Sequence, residues 1–188
     1  MACIDDATRK TMLYFQEKKS QTIDSYKHNE ALIEMQTRNY IKVACSDQRG
    51  EFLSDDLTWH QDMRGTKHEL TVHNSPQQNS VAKCGICTHT EHTRALLLAS
   101  GLPWFLWEEV MMHMTWLQNR TPAHAIDSKT PYEMQHKKKP HLAGIQEFRV
   151  TVYIKDLKAG KLDAHTKVGQ FVGYDSQSKG YWIYWPQK

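Results

Sequence analysis

Cys84-x-x-Cys87 with His89 and His92 is the densest group of metal-ligand residue types in the chain. Thiolate and imidazole are the donors that zinc takes. The spacing works against a closed site. Four ligands within nine consecutive residues of one predicted helix do not readily surround a tetrahedral ion, and structural zinc sites draw on separated knuckles. We therefore expect ordinary helix positions there. No local signature marks a nucleophilic Cys/His pair. Lys137-Lys138-Lys139 has the charge to contact phosphate or to act as a targeting signal, and it also reads as a solvated basic run. Tyr181, Trp182, Tyr184 and Trp185 offer faces on which bases stack, but their alternation at period two assigns about half of them to the packed side of a strand.

The elements that must position these residues follow from pattern and punctuation. Lys10 to Phe15 reads as a strand. Ser20 is placed to cap a helix running to about Gln36, with Ile23, Tyr26 and Ile33 on one face. Tyr40 to Cys45 is a short apolar strand that ends at Ser46-Asp47, and a short helix follows over Ser54 to Met63. His68 to Val72 reads as a further strand. The segment Ser75-Pro76-Gln77-Gln78-Asn79-Ser80 is a loop, after which a helix runs to about Ser100. Gly101-Leu102-Pro103 breaks it, and Pro103 suits the first position of the next helix. Trp104, Trp107, Met111, Met114 and Leu117 then recur at steps of three or four and predict a packed stripe. Residues 121–145 read as an irregular linker. From Phe148 the period becomes two, as in Val150-Val152-Ile154, which predicts short strands joined by tight turns.

Composition bounds the classes. The chain has 188 residues, 39% hydrophobic and 24% charged, a balance that suits a soluble globular protein and not a disordered one. With 9 Gly and 6 Pro it is neither collagen-like nor low in complexity. Its longest apolar runs, such as Leu96-Leu97-Leu98-Ala99, fall far short of the ~20 residues of a membrane-spanning helix. Asp5 and Asp6 stand where a signal peptide needs an apolar core, so an intracellular, non-secreted protein with four reduced cysteines is expected. The net charge of +3 is mild. Residues 1–140 carry 17 Lys/Arg against 17 Asp/Glu, while residues 141–188 carry 7 against 4, so the whole excess lies in the tail. A weakly basic tail is compatible with nucleic acid.

Five blocks carry a resemblance. They are Ile4-Asp5-Asp6-Ala7-Thr8-Arg9-Lys10; Ser46-Asp47-Gln48-Arg49-Gly50-Glu51-Phe52; Lys67 to Val72 followed by Ser75 to Ala82; Lys129-Thr130-Pro131-Tyr132-Glu133; and Phe171-Val172-Gly173-Tyr174 with Ser178-Lys179-Gly180-Tyr181. In this order they resemble the integrase region of copia-type retrotransposon Pol polyproteins. The resemblance implies an α/β fold: a ribonuclease-H-like integrase core over 1–120, a linker over 121–145 and a small all-β, barrel-like, src-homology-3-like domain over 146–188. It also implies DNA as partner, nuclear or cytoplasmic location, no membrane, and phosphoryl transfer by two Mg²⁺ ions held by two aspartates and a glutamate.

Asp47 matches the second aspartate of that set. The family spacing from Asp47 lands on position 83, and Asn79, Val81 and Ala82 confirm the register; the residue there is Lys83. A lysine replaces an acceptor with a cation that repels Mg²⁺, at a cost on the order of 1–4 kcal/mol for charges ~4 Å apart. The family's first aspartate lies on a strand upstream of the Ile4 block, and three residues precede Ile4 here, so the expected core lacks its first strand. Asp5 and Asp6 match acids of the block that are not catalytic. The expectation is an integrase fragment that binds nucleic acid, with Asp47 the one retained family carboxylate and weak metal ligand, no cofactor bound and no catalysis. Lys83, Arg94, Lys137, Lys138 and Lys139 are the candidate phosphate contacts. The alternatives are a non-catalytic protein-interaction module or a functionless transposon relic.

Overall fold

The computed structural model describes residues 1–48, 50–71, 80–157, 160–161, 165–175 and 178–186. The chain is mixed α/β. Strands β1 (Ala2–Ile4) and β2 (Thr11–Leu13) form an antiparallel hairpin. Helix α1 (Thr22–Thr37) follows, then β3 (Val43–Ser46), α2 (Asp55–Arg64) and β4 (Lys67–Leu70), with β3 and β4 paired in parallel. Two long-packed helices come next, α3 (Ser80–Ser100) and α4 (Trp107–Gln118). A short helix α5 (Pro131–His136) leads to β5 (Thr151–Lys155), β6 (Thr166–Tyr174) and β7 (Tyr181–Tyr184), an antiparallel sheet in the order β5-β6-β7. Among the described residues this sheet is open, and no helix is long and apolar enough to cross a membrane.

Local chemistry explains the helix ends. Asp55 and Asp56 place negative charge at the start of α2, where the helix dipole favours it, and Gly65 closes the helix at φ +68. Its N–H and that of Thr66 return to the last carbonyls. Thr130 caps α5 by accepting from the N–H of Glu133, and Pro131 takes the first helical position. The segment expected to be irregular therefore holds a capped helix, and Lys137 is its left-handed terminal residue.

Two kinds of packing hold the chain. Leu97, Leu102, Leu106, Val110, Phe148 and Val172 form one buried apolar cluster that draws on α3, α4 and the β6 sheet. On α1 and α2, by contrast, the buried groups are Thr22, Tyr26, Asn29, Glu30, Leu57 and Gln61. The predicted stripe on α4 is out of phase with the observed one. Trp104 and Trp107 are 60% and 45% exposed, while Leu106, Val110 and His113 are buried. A 3₁₀ turn over Trp104–Leu106 precedes α4, and the sheet selects the Val110–His113 face. Trp107 instead meets Phe15 edge-on at 5.2 Å.

The buried Asn119 at the end of α4 ties the hairpin to this core. Its side chain donates to the Thr11 carbonyl at 2.8 Å and accepts the Thr11 N–H at 2.9 Å, copying a strand ladder at the edge of β2.

Candidate functional site

Asp47 follows directly on β3 and is half-buried. The preceding residue fixes its approach: the Ser46 hydroxyl donates to the Asp47 carbonyl at 3.2 Å and lies 2.8 Å from His68 Nε2. Burial keeps His68 below the usual imidazole range, so its ring is neutral near pH 7. Arg49 and residues 72–79, where a loop is expected over 75–80, lie outside the described residues.

Helix α3 sorts its side chains into two faces. Gly85, His89, Thr93, Leu97 and Ser100 turn inward. At Gly85 a Cβ would come within 2.8 Å of Ile4 Cδ1, so α3 and β1 approach closely because this position carries no side chain. His89 is fully buried, and its Nδ1 faces the Thr115 hydroxyl at 3.5 Å. Burial, and then the His92 charge, hold it below its ordinary range. Cys84, Cys87 and His92 are exposed. The Cys/His group is thus divided between faces. Among the described residues no cluster of three His, Cys, Asp or Glu is arranged to hold a metal ion.

Lys83 and Arg94 are eleven residues apart, three helical turns, and therefore share one exposed stripe of α3. That stripe lies on the other side of the helix from Gly85 and His89, with about 16 Å along the axis between the two cations. Lys137, Lys138 and Lys139 are exposed at the end of α5. The structure thus brings Lys83 and Arg94 onto one line and places the lysine run on a separate element.

The aromatic tail does not alternate at period two, because the β6–β7 register is irregular between Phe171 and Gly173. Tyr181 and Trp182 are more than half exposed. Tyr184 packs on the apolar cluster and meets Phe105 at 5.9 Å. A continuous stack crosses from helix to sheet: the Arg120 guanidinium lies 3.7 Å above the Trp116 ring, and Trp116 stacks on Tyr174 at 4.0 Å. Sequence reasoning missed Arg120, together with Lys10 and His136, because contact between positions so far apart leaves no local signal.

Residues 149–188 match the retroviral polymerase SH3-like domain. Over nearly its whole length the chain is homologous to plant retrotransposon Pol polyproteins. It is 29% identical over 187 residues to the retrovirus-related Pol polyprotein from transposon TNT 1-94 of Nicotiana tabacum, covering 98% of this chain and 14% of the polyprotein. It is 25% identical over 182 residues to that from transposon RE2 of Arabidopsis thaliana, covering 95% of this chain and 12% of the polyprotein. The chain therefore spans only a small part of the curated relatives it matches. Its fold is similar to the HTLV-2 integrase catalytic core domain solved in complex with magnesium, with TM-score 0.54, 16% identity, and 71% of this chain and 81% of that one covered. It is also similar to a chain of the simian T-cell lymphotropic virus intasome solved with the PP2A regulatory subunit B56 gamma, with TM-score 0.56, 15% identity, and 98% of this chain and 69% of that one covered.

Proposed function

We propose that the chain is the integrase-core and SH3-like portion of a copia-type retrotransposon polyprotein, and that it binds DNA without carrying out metal-dependent strand transfer. The observation that carries this reading is position 83 on α3, where the family glutamate is replaced by an exposed lysine that shares a stripe with Arg94. A carboxylate there would bring Mg²⁺; a lysine there brings phosphate. Lys83 stands where the resemblance puts the third carboxylate, and a cation there does not fit a two-magnesium site. No step through a metal is therefore part of the proposal. Asp47 would remain as one carboxylate at the end of β3. Location in the nucleus or cytoplasm belongs to the same reading.

Lys83 and Arg94 would contact backbone phosphates, with Lys137, Lys138 and Lys139 adding a second, separate basic surface. Contacts of this type fix a protein on the duplex and carry no sequence information. Two phosphate contacts contribute about 1.8 to the slope of log K against log salt. Affinity for a short duplex is therefore expected to fall steeply with salt, and Lys83→Gln with Arg94→Gln should flatten that slope by roughly 2. Binding that ignores salt, or a slope unchanged in the double variant, would overturn the assignment.

One observation favours a second reading. On the outer sheet Tyr153 and Val168 sit opposite each other across β5 and β6, 74% and 54% exposed, which suits a protein partner. Capture by such a surface responds little to salt, so the same titration separates the two.

A further inference from the structure

Lys10, Arg120 and His136 come from three distant segments and meet on one side of the molecule. Their contacts form a chain. Lys10 Nζ donates to Gln36 Oε1 at 3.5 Å, and Gln135 Nε2 donates to the same oxygen at 2.9 Å. The Arg120 guanidinium lies 5.1 Å from the Tyr132 ring, which is 4.4 Å from the ring of His136. The three groups feel one another. Burial and then Arg120 hold Lys10 below the usual ammonium range, although Asp5 opposes this. Burial, then Lys10, then Arg120 hold His136 below the usual imidazole range.

Several cations of the chain are paired: Arg9 with Asp6, Lys19 with Glu51, Arg64 with Glu30 and Glu34, Lys67 with Glu69, Lys167 with Asp156. Among the described residues none of Lys10, Arg120 and His136 forms an ion pair. The nearest carboxylate, Asp5, is occupied by the N–H and hydroxyl of Thr8. Gathering like charges without a counter-charge is unfavourable, and a bound anion reverses the sign. The geometry also suits one. Arg120 is held flat on Trp116 by stacking and by one bond from Nη1 to the Trp116 carbonyl at 3.1 Å, which leaves its other donors in a fixed fork. Lys10 adds a point charge beside it.

We infer that Lys10, Arg120 and His136 form a binding site for a phosphate-class oxyanion. The ligand is a tetrahedral oxyanion held by a guanidinium fork, an ammonium and the N–H of a neutral imidazole. It comes from one of two sources, free phosphate or the backbone of a nucleic acid, and the site stands whether or not Lys83 and Arg94 contact DNA.

The test is calorimetric titration of the full chain with inorganic phosphate at constant ionic strength. Lys10→Gln with His136→Gln should weaken phosphate binding about tenfold, while Lys10→Arg should stay within about twofold of the unaltered chain. Lys27→Gln with Lys155→Gln removes at least as much formal charge from exposed positions of α1 and β5 and should leave the affinity unchanged. Arg120 is kept because it packs on Trp116. Absence of phosphate binding by the unaltered chain, or equal losses in the two double variants, would overturn the site. A second arm uses a short duplex: weakening by Lys10→Gln/His136→Gln identifies the nucleic-acid backbone as source, and an unchanged duplex affinity alongside lost phosphate binding identifies free phosphate. Loss of duplex binding in Lys83→Gln/Arg94→Gln alone bears on the α3 stripe and leaves this site intact.

Discussion

The seam between α1 and α2 and the cluster between α3, α4 and the β6 sheet solve the same problem with opposite materials. The seam buries Tyr26, Glu30 and Gln61, and its centre is a carboxylate 97% removed from solvent, with Glu30 Oε2 2.6 Å from His60 Nε2. The cluster buries Leu97, Leu102, Leu106, Val110, Phe148 and Val172. Apolar burial is non-directional and tolerates small shifts. A polar seam depends on every partner being present, and the seam leaves Glu30 Oε1 without a hydrogen bond among the described residues. The difference places most of the stabilising free energy in the α3–α4–sheet half and makes the seam the more fragile one.

The comparison breaks first at Phe171. It is 1% exposed and surrounded by His113, Tyr174 and Tyr181 at 5.0–5.8 Å between ring centroids. Phe171→Ala should cost about 3–5 kcal/mol by lost burial and cavity formation, read from urea denaturation.

Acid should strike the same half next. His113 is 2% exposed among Phe148, Phe171 and Tyr174, and burial pushes its pKa down to about 4. The unfolded chain protonates this ring near 6.5, so between those values it binds more protons than the folded chain. Stability is therefore complete above about pH 6.5, falls as pH drops and has lost about 3 kcal/mol by pH 4. His89, lowered for the same reason, adds loss of the same sign. His113→Leu should flatten the pH profile of the melting temperature.

A smaller effect sharpens the contrast. Glu30→Ala removes the acceptor of His60 and a neighbour of Arg64, which should cost about 2 kcal/mol. Glu30→Gln keeps an acceptor for His60 and should cost less. Equal costs for the two in chemical denaturation would mean that the seam is held by shape and not by its polar pairs.

Much of this organisation is legible in the sequence, for local reasons. The helices announce themselves through Ser54 and Asp55 at one start, Gly65 at one stop, and Gly101-Leu102-Pro103 between α3 and α4. The period-two tail gives β5 to β7. The Cys84/Cys87/His89/His92 group was expected to be ordinary helix, and its division between two faces of α3 is what helical spacing dictates. The polar seam is illegible because Glu30, His60 and Gln61 look like surface residues until two helices are laid together. The phase of α4 misleads because Trp104 and Trp107 dominate the apolar pattern, while the sheet selects Leu106, Val110 and His113. Lys10, Arg120 and His136 meet only through tertiary structure. The shared core is hidden for the same reason: Phe148 and Val172 read as part of a separate β unit, yet they pack with Leu97 and Val110.

That shared core is the centre of the account, and thermal unfolding of Phe171→Ala followed by two probes tests it most directly. Far-UV circular dichroism follows the helices and near-UV follows the packed aromatics. One core predicts that both transitions move to lower temperature together and by the same amount. A helical transition that stays at the unaltered midpoint while the aromatic signal is lost would contradict it.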